Sequence, residues 1–327
     1  MSAAGGPPVR VAAIDCGTNS LRLLVADVDP ARRTLSDLER RMEIVRLGQG
    51  VDATGRLAPD ALERTFGVLA EYAAIITASS VRAVRMVATS ATRDAANAAE
   101  FTAGVTQILG TAPEVLTGSQ EAALSFAGAT AELAGQAGDG AQIAAPYLVT
   151  DIGGGSTEFV LGGGPGAGEL AACSVDIGCV RLTERHLHSD PPTEAEISAA
   201  TADIDAAVGR AAAAVQAGRA RTLVGLAGSV TTVAGIALGL PAYDPSRIHH
   251  ARIPAGQVHE VCRMLLGMTT AQRRGIGVMH PGRADVIGAG ALVLDRIVTL
   301  LDFAEVVVSE HDILDGIAWS LADCHAG

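Results

Sequence analysis

Residues 11–25, VAAIDCGTNSLRLLV, and residues 147–161, YLVTDIGGGSTEFVL, share one plan, and that plan decides the fold. Each is an apolar run ending in Asp, then one residue, then a Gly-rich polar loop, then a second apolar run. Each reads as a β-hairpin in which Asp15 or Asp151 closes the first strand. Gly17 to Ser20, and Gly153 to Thr157, then form turns whose amides can approach an anion. Glycine permits that approach because it has no Cβ, and clustered N–H groups make an anion-binding concavity. An Asp beside such a loop repels phosphate unless a divalent cation lies between them, so the pair suggests a Mg²⁺–phosphate site. Either segment alone reads equally well as an ordinary Gly-rich turn; the second copy favours the anion site. The repeat also implies two similar α/β halves, each offering one loop to a shared cleft.

A chain of 327 residues suits two domains, each able to bury its own core. Only 3% of residues are aromatic, so the cores must be built from Ala, Val, Leu and Ile. There is no lysine: all 24 basic residues are Arg. That excludes a Walker A loop and any Schiff-base chemistry, and leaves Arg to handle anions. The net charge of −12 speaks against nonspecific binding to nucleic acid or an anionic membrane. The start MSAAGGPPVR lacks an apolar stretch of signal-peptide length, and a cytoplasmic, soluble protein is expected. Residues 222–243 are uncharged, but four Gly and a Pro fit a buried strand, turn and helix better than a membrane span. The five cysteines show no CxxC spacing, so a cysteine zinc site and a disulfide framework are poor readings.

Along the chain, a third strand is expected near Glu43–Leu47. A helix follows over 59–78, with Leu62, Phe66, Leu69, Ala73 and Ile76 on one face. Strands at 81–88 and 114–116 flank the segment TSATRDAAN, and a helix begins near Ser119. The order βββαβαβα suits an actin-like or ribonuclease-H-like half. Residues 134–146 read as a surface loop. In the second half a helix over 193–217 carries a Thr193/Glu196 capping box. A strand over 221–227 enters GSVTT at a helix start, further helices lie near 256–267 and 284–301, and a strand at 305–309 precedes a helix over 313–324. Gly228 and Ser229 open their helix directly after a strand, a place suited to a third anion contact. His249 and His250 read as solvated loop histidines.

These segments resemble the exopolyphosphatase/guanosine pentaphosphate phosphohydrolase family of the actin-like ATPase superfamily. The resemblance rests on AAIDCGTNSLRLLV, EIVRLGQGVDATGRL, ATSATRDAAN, GSQEA, VTDIGGGSTEFV, SVDIGCVRLTE, GLAGSVTT and GRADVIGAGALVL, nearly end to end. The chain looks like the short form, with two actin-like domains and a phosphate-binding cleft between them. Domain I would span 1–124, with the helix at about 311–327 packing on it, and domain II 125–310. Two departures stand out: Gln120-Glu121 where the family often has Glu-Glu, and HDILDG where it often has an Arg.

The resemblance implies hydrolysis of a terminal phosphoanhydride, chemistry that needs charge neutralisation and an aligned water. Glu121 is the expected water-activating base. From position alone it is an ordinary helix-start glutamate, favoured as a carboxylate by the helix dipole; the family pattern supplies the role. Arg93 is expected to face the cleft on the same grounds, with Arg22 and Arg283 as weaker phosphate contacts. Asp151 is the leading metal ligand, followed by Asp15 and Glu158, for Mg²⁺ with Mn²⁺ as an alternative. Thr18, Asn19 and Ser20, with Gly153, Gly154, Gly155, Ser156 and Thr157, are expected to donate to phosphate oxygens. The expected substrate is inorganic polyphosphate, with guanosine polyphosphate (pppGpp to ppGpp) as the nearest rival. A phosphotransferase or a noncatalytic sensor are more distant ones, and the family suggests a homodimer. Cys16 and Arg22 also match the Cys-x5-Arg spacing of cysteine-dependent phosphatases, but Arg22 precedes a β-like run and Asp15 would raise the thiol's pKa.

Overall fold

The computed structural model describes residues 8–133, 143–163 and 168–323. Cys324, and residues 134–142 of the expected loop, lie outside the described residues. The chain divides into two units, Met1–Gly128 with Ile313–Gly327, and Ala129–Asp312.

In the first unit β1 (Val9–Cys16), β2 (Ser20–Asp29), β3 (Thr34–Ile44), β4 (Ala83–Ala88) and β5 (Glu114–Val115) form one sheet in the order β3-β2-β1-β4-β5. The first three strands are antiparallel neighbours, while β4 runs parallel to β1 and β5 parallel to β4. In the second unit the strands are β6 (Tyr147–Ile152), β7 (Thr157–Gly162), β8 (Ala171–Val175), β9 (Thr222–Leu226), β10 (Arg252–Pro254) and β11 (Glu305–Val308). Their order is β10-β11-β9-β6-β7-β8. Read from β8, with β6 as first and β10 left out of the count, this is again third-second-first-fourth-fifth, and β10 is added antiparallel at the edge. Both units therefore carry the ribonuclease-H-like sheet expected of actin-like domains.

Both faces of the first sheet are covered, which is why β1 reads as a continuous apolar run rather than an alternating one. Ala12, Ile14 and Leu23 face helices Pro59–Ala78 and Ala98–Leu109 through Leu69 and Phe101. Val11, Ala13 and Leu24 face the C-terminal helix Ile313–Asp323 through Ile317 and Ala318. The second unit packs around helices Glu194–Val215, Ala255–Gly267 and Ile287–Leu300. Thr193 and Glu196 form the expected capping box. Among the described residues no helix is long and apolar enough to cross a membrane.

The third strand departs from expectation. It occupies Thr34–Ile44, and its sequence TLSDLERRMEI is charged because it is an exposed edge. Charge on an edge strand blocks pairing with other chains, at the expense of any hydrophobic signal. The apolar Val45 and Leu47 that suggested a strand are buried in the loop after it. From this edge Arg40 reaches the C-terminal helix, with Nη2 2.6 Å from Oδ1 of the buried Asp315, and Nε 2.6 Å from Asp37 Oδ2. Breaking a fully buried pair costs about 3–5 kcal/mol. Because Arg40 is partly exposed, Arg40→Met is expected to lower stability by about 2 kcal/mol, read as a lower urea midpoint at unchanged slope.

Candidate functional site

Both acid-tipped turns sit at the carboxyl end of the first strand of their sheet, where open α/β sheets bind ligands. Each turn is closed internally, by Gly17 N–H to Ser20 O and by Gly153 N–H to Ser156 O, both 3.0 Å. Those two amides are spent on the turn, so Gly17 and Gly153 shape it rather than reaching outward.

The segment after the third strand then grips the turn's carbonyls. In the first unit Gly48 donates to Thr18 O at 2.8 Å, and Val45 and Arg46 donate to Asn19 O at 3.1 and 2.9 Å. In the second unit Cys179 donates to Gly153 O (2.9 Å), Val180 and Arg181 to Gly154 O (2.9 and 3.1 Å), and Gly178 to Gly155 O (3.2 Å). Arg181 adds Nε to Gly155 O at 2.7 Å. With their oxygens held, these peptides have a fixed orientation, and among the described residues the amides of Thr18, Asn19, Gly154 and Gly155 donate to no backbone carbonyl. That is a preorganised set of anion donors. The clamp works only at close approach: a Cβ on Gly178 would overlap the Gly154 carbonyl, and one on Gly48 would overlap the Thr18 methyl.

The carboxylates differ between the repeats. Asp15 stands opposite Arg22 across the β1–β2 ladder, and the guanidinium closes on it with Nη2 and Nε 2.7 and 3.0 Å from Oδ2. At the same register of the second hairpin Asp151 stands opposite Glu158, and both are buried. Like charges directly opposite on paired strands destabilise the pairing. This all-oxygen donor pair suits a hard divalent cation such as Mg²⁺. Glu158 also accepts Ser174 Oγ at 2.7 Å. The Thr157 hydroxyl donates to Ile177 O at 2.9 Å, which fixes the clamp rather than leaving it for phosphate.

Glu121 lies in the first turn of helix Gly118–Thr130 and is 8% exposed. Arg93, in the short helix Ser90–Arg93 after β4, bridges Glu121 Oε2 (3.2 Å) and Leu116 O (3.0 Å) through Nη1. The Gln120 that departs from the family pattern has its own use. Its Oε1 accepts Thr117 N–H at 2.9 Å while Gln120 N–H points to Thr117 Oγ1 at 3.3 Å, a capping box that a glutamine serves as well as a glutamate.

The helix after the fourth strand recurs in both units. Ser90 meets Thr18 Oγ1 at 2.9 Å. In the second unit helix Ala227–Ala237 begins with Ala227 at φ 68, a left-handed turn that costs a non-glycine residue roughly 1–2 kcal/mol. Gly228 lies against the Arg283 guanidinium so closely that a Cβ would overlap it, and Ser229 packs beside Gly290. The structure thus brings Gly228, Ser229 and Arg283 together from distant parts of the chain.

A family model described as the Ppx/GppA phosphatase family matches residues 24–325. The chain belongs to that family. It is 52% identical over 324 residues to a Mycobacterium tuberculosis protein named Exopolyphosphatase 2, covering 96% of this chain and 98% of the relative. A solved structure of an exopolyphosphatase-like protein is 42% identical and superposes with a TM-score of 0.91, covering 98% of this chain and all of that one. A Vibrio cholerae guanosine-5'-triphosphate,3'-diphosphate pyrophosphatase is 37% identical over 187 residues, 57% of this chain and 35% of the relative.

Within this Ppx/GppA chain the Cys-x5-Arg spacing has no phosphatase geometry. Cys16 is buried on β1, Arg22 is on a strand, and burial together with Asp15 pushes the thiol well above its ordinary pKa. Cys16→Ser is expected to change phosphate release by less than about threefold, since the thiol is no nucleophile. Sequence reasoning missed the clamp at Gly178–Arg181 and the Ser90 contact; the glycine in DIGCVRL was the available signal. It also misread His249 and His250. Burial, and then His249, push His250 down to about 4, and the His249 ring lies against it, tilted by 32° with centroids 3.7 Å apart.

Proposed function

We propose that this chain is an exopolyphosphatase, releasing orthophosphate from the end of inorganic polyphosphate. The observation that carries the reading is the doubled acid-tipped turn with clamped carbonyls, in a chain so similar to a named exopolyphosphatase. Glu121 takes the proton of the attacking water. The water oxygen bonds to the terminal phosphorus, and the bond from that phosphorus to its bridging oxygen breaks. Arg93 holds the Glu121 carboxylate in one orientation. The uncommitted turn amides donate to phosphoryl oxygens, and Arg283 beside Gly228 adds positive charge. Asp151 and Glu158 would hold Mg²⁺, or Mn²⁺ in its place, which when bound neutralises charge on the phosphoryl oxygens. Asp15 is a weaker ligand than Asp151 because Arg22 already neutralises it.

The second reading is removal of the 5'-terminal phosphate of pppGpp, favoured by the similarity to the Vibrio protein. The deciding measurement is the rate of phosphate release from polyphosphates of defined length beside pppGpp, with and without Mg²⁺. A higher kcat/KM on polyphosphate, lost without the metal, is the expected result. No release from either substrate would leave only a binding protein.

A further inference from the structure

Three histidines of the second unit gather beside one carboxylate. The His249 ring lies 3.7 Å from His250 and 4.6 Å from His311, centroid to centroid. Glu132 Oε2 stands 3.5 Å from His249 Nε2 and 3.7 Å from His311 Nδ1. One ligand atom from each of Glu132, His249 and His311 lies within 4.8 Å of the other two. His249 Nε2 is buried and has no hydrogen-bond partner among the described residues, although it points at the carboxylate. Donors on a tetrahedral cation with bonds near 2.0–2.1 Å stand about 3.3–3.4 Å apart. The two measured spacings are within a few tenths of an ångström of that edge, too long for hydrogen bonds and right for a shared ion.

We propose that Glu132 Oε2, His249 Nε2 and His311 Nδ1 form a site for a divalent transition-metal ion of the zinc class. Two imidazole nitrogens and one carboxylate suit zinc, whereas Mg²⁺ prefers the all-oxygen pair Asp151 and Glu158. Three protein donors leave a fourth position for water. The ligands are held by backbone. His250 keeps a left-handed φ of 61 and donates its N–H to Val308 O at 2.7 Å, which pins the histidine pair against β11.

Proton accounting adds a marker. His249 Nδ1 accepts the Glu310 N–H at 3.1 Å, so the metal-free neutral ring carries its proton on Nε2. A metal-bound neutral imidazole carries it on Nδ1 instead. Zinc uptake therefore moves the ring proton and gives up the Glu310 amide contact. The placement along the chain has a consequence for stability as well. Glu132 lies just after the chain enters the unit at Ala129, and His311 just before it leaves at Asp312. One ion would tie the first and last segments of the unit, and a clip closing a long loop restricts the unfolded chain most.

The test is titration of the chelator-treated full chain with Zn²⁺ alone, competed against a chromophoric chelator, with melting followed in parallel. Wild type is expected to take up one zinc per chain, to melt higher with it, and to show faster exchange of the Glu310 amide. The Glu132 and His311 side chains are partly exposed (43% and 28%), so Glu132→Ala and His311→Ala should fold. Each should melt like wild type without metal, lose its zinc-dependent rise, and bind zinc roughly 10- to 100-fold more weakly. Asp151→Asn should bind zinc like wild type, which separates this site from the carboxylate pair Asp151 and Glu158 proposed for Mg²⁺. The proposal is overturned by no saturable uptake, or by equal affinity in wild type and both variants. The second result would assign the ion to Asp151–Glu158, His186–Asp203, His259–Asp295 or a thiol instead.

Discussion

Glu121→Gln is expected to release orthophosphate from polyphosphate with a kcat lower by roughly 10²–10⁴, the usual contribution of a positioned general base. That range corresponds to about 2.7–5.4 kcal/mol of transition-state stabilisation. The substitution is nearly isosteric, and the amide oxygen can still accept from Arg93, so neither the helix start nor the loop at Leu116 should move. The Thr117/Gln120 capping box is untouched as well. Melting temperature and KM should therefore stay close to wild type while kcat falls. A residue acting only through helix stability would show the opposite split, with changed melting and preserved kcat. Less than a tenfold fall in kcat would remove Glu121 from its role. The proton would then go elsewhere, and the pairing with Arg93 would be structural.

The hairpins were legible because their signal is local. Asp15 and Asp151 close buried strands, and the glycines that follow cannot be read as anything but turns. Helix Pro59–Ala78 was legible to the residue, because Pro59 marks its first turn and its apolar spacing is regular. What stayed hidden depends on contacts between distant residues. The motif ATSATRDAAN gave no sign that Asn97 would pin Leu57 through both its amide and carbonyl, or that Ser90 would meet Thr18. Arg22 read as a phosphate contact because its cross-strand register with Asp15 is invisible until the hairpin is paired. The edge strand Thr34–Ile44 and the short β8 lack apolar alternation, since one is solvated and the other only half-buried. His249 and His311 are separated by most of the second unit's C-terminal part, so no spacing rule could join them to Glu132. The same limit hid the extent of the repeat: its clamp and its fourth-strand helix recur in space, with little sequence in common.

Gly178→Ala is the sharpest test of that clamp. The backbone there has φ −85 and ψ 161, which alanine adopts without strain, so any effect must come from contact alone. A Cβ would overlap the carbonyl of Gly154 and the nitrogen of Gly155. Both are backbone atoms, with no flexible side chain to swing aside. The Gly154–Gly155 peptide must shift, or the start of helix Cys179–His186 must lift away, and either loosens the bonds from Val180 and Arg181 to Gly154 O. Overpacking of this kind costs typically about 1–3 kcal/mol in stability. The larger effect should be on rate, because misplacing a reacting group by about 1 Å can lose on the order of 100-fold. We expect phosphate release to fall by about that factor while the second unit still folds. Gly209→Ala is the matched control: it sits in helix Glu194–Val215 with nothing within 4 Å of an added Cβ. There alanine should raise stability by roughly 0.5–1 kcal/mol and leave the rate unchanged. If the two alanines behave alike in phosphate release, the close approach of Gly178 to the glycine turn does not position the substrate, and the clamp is only a way of ending a sheet.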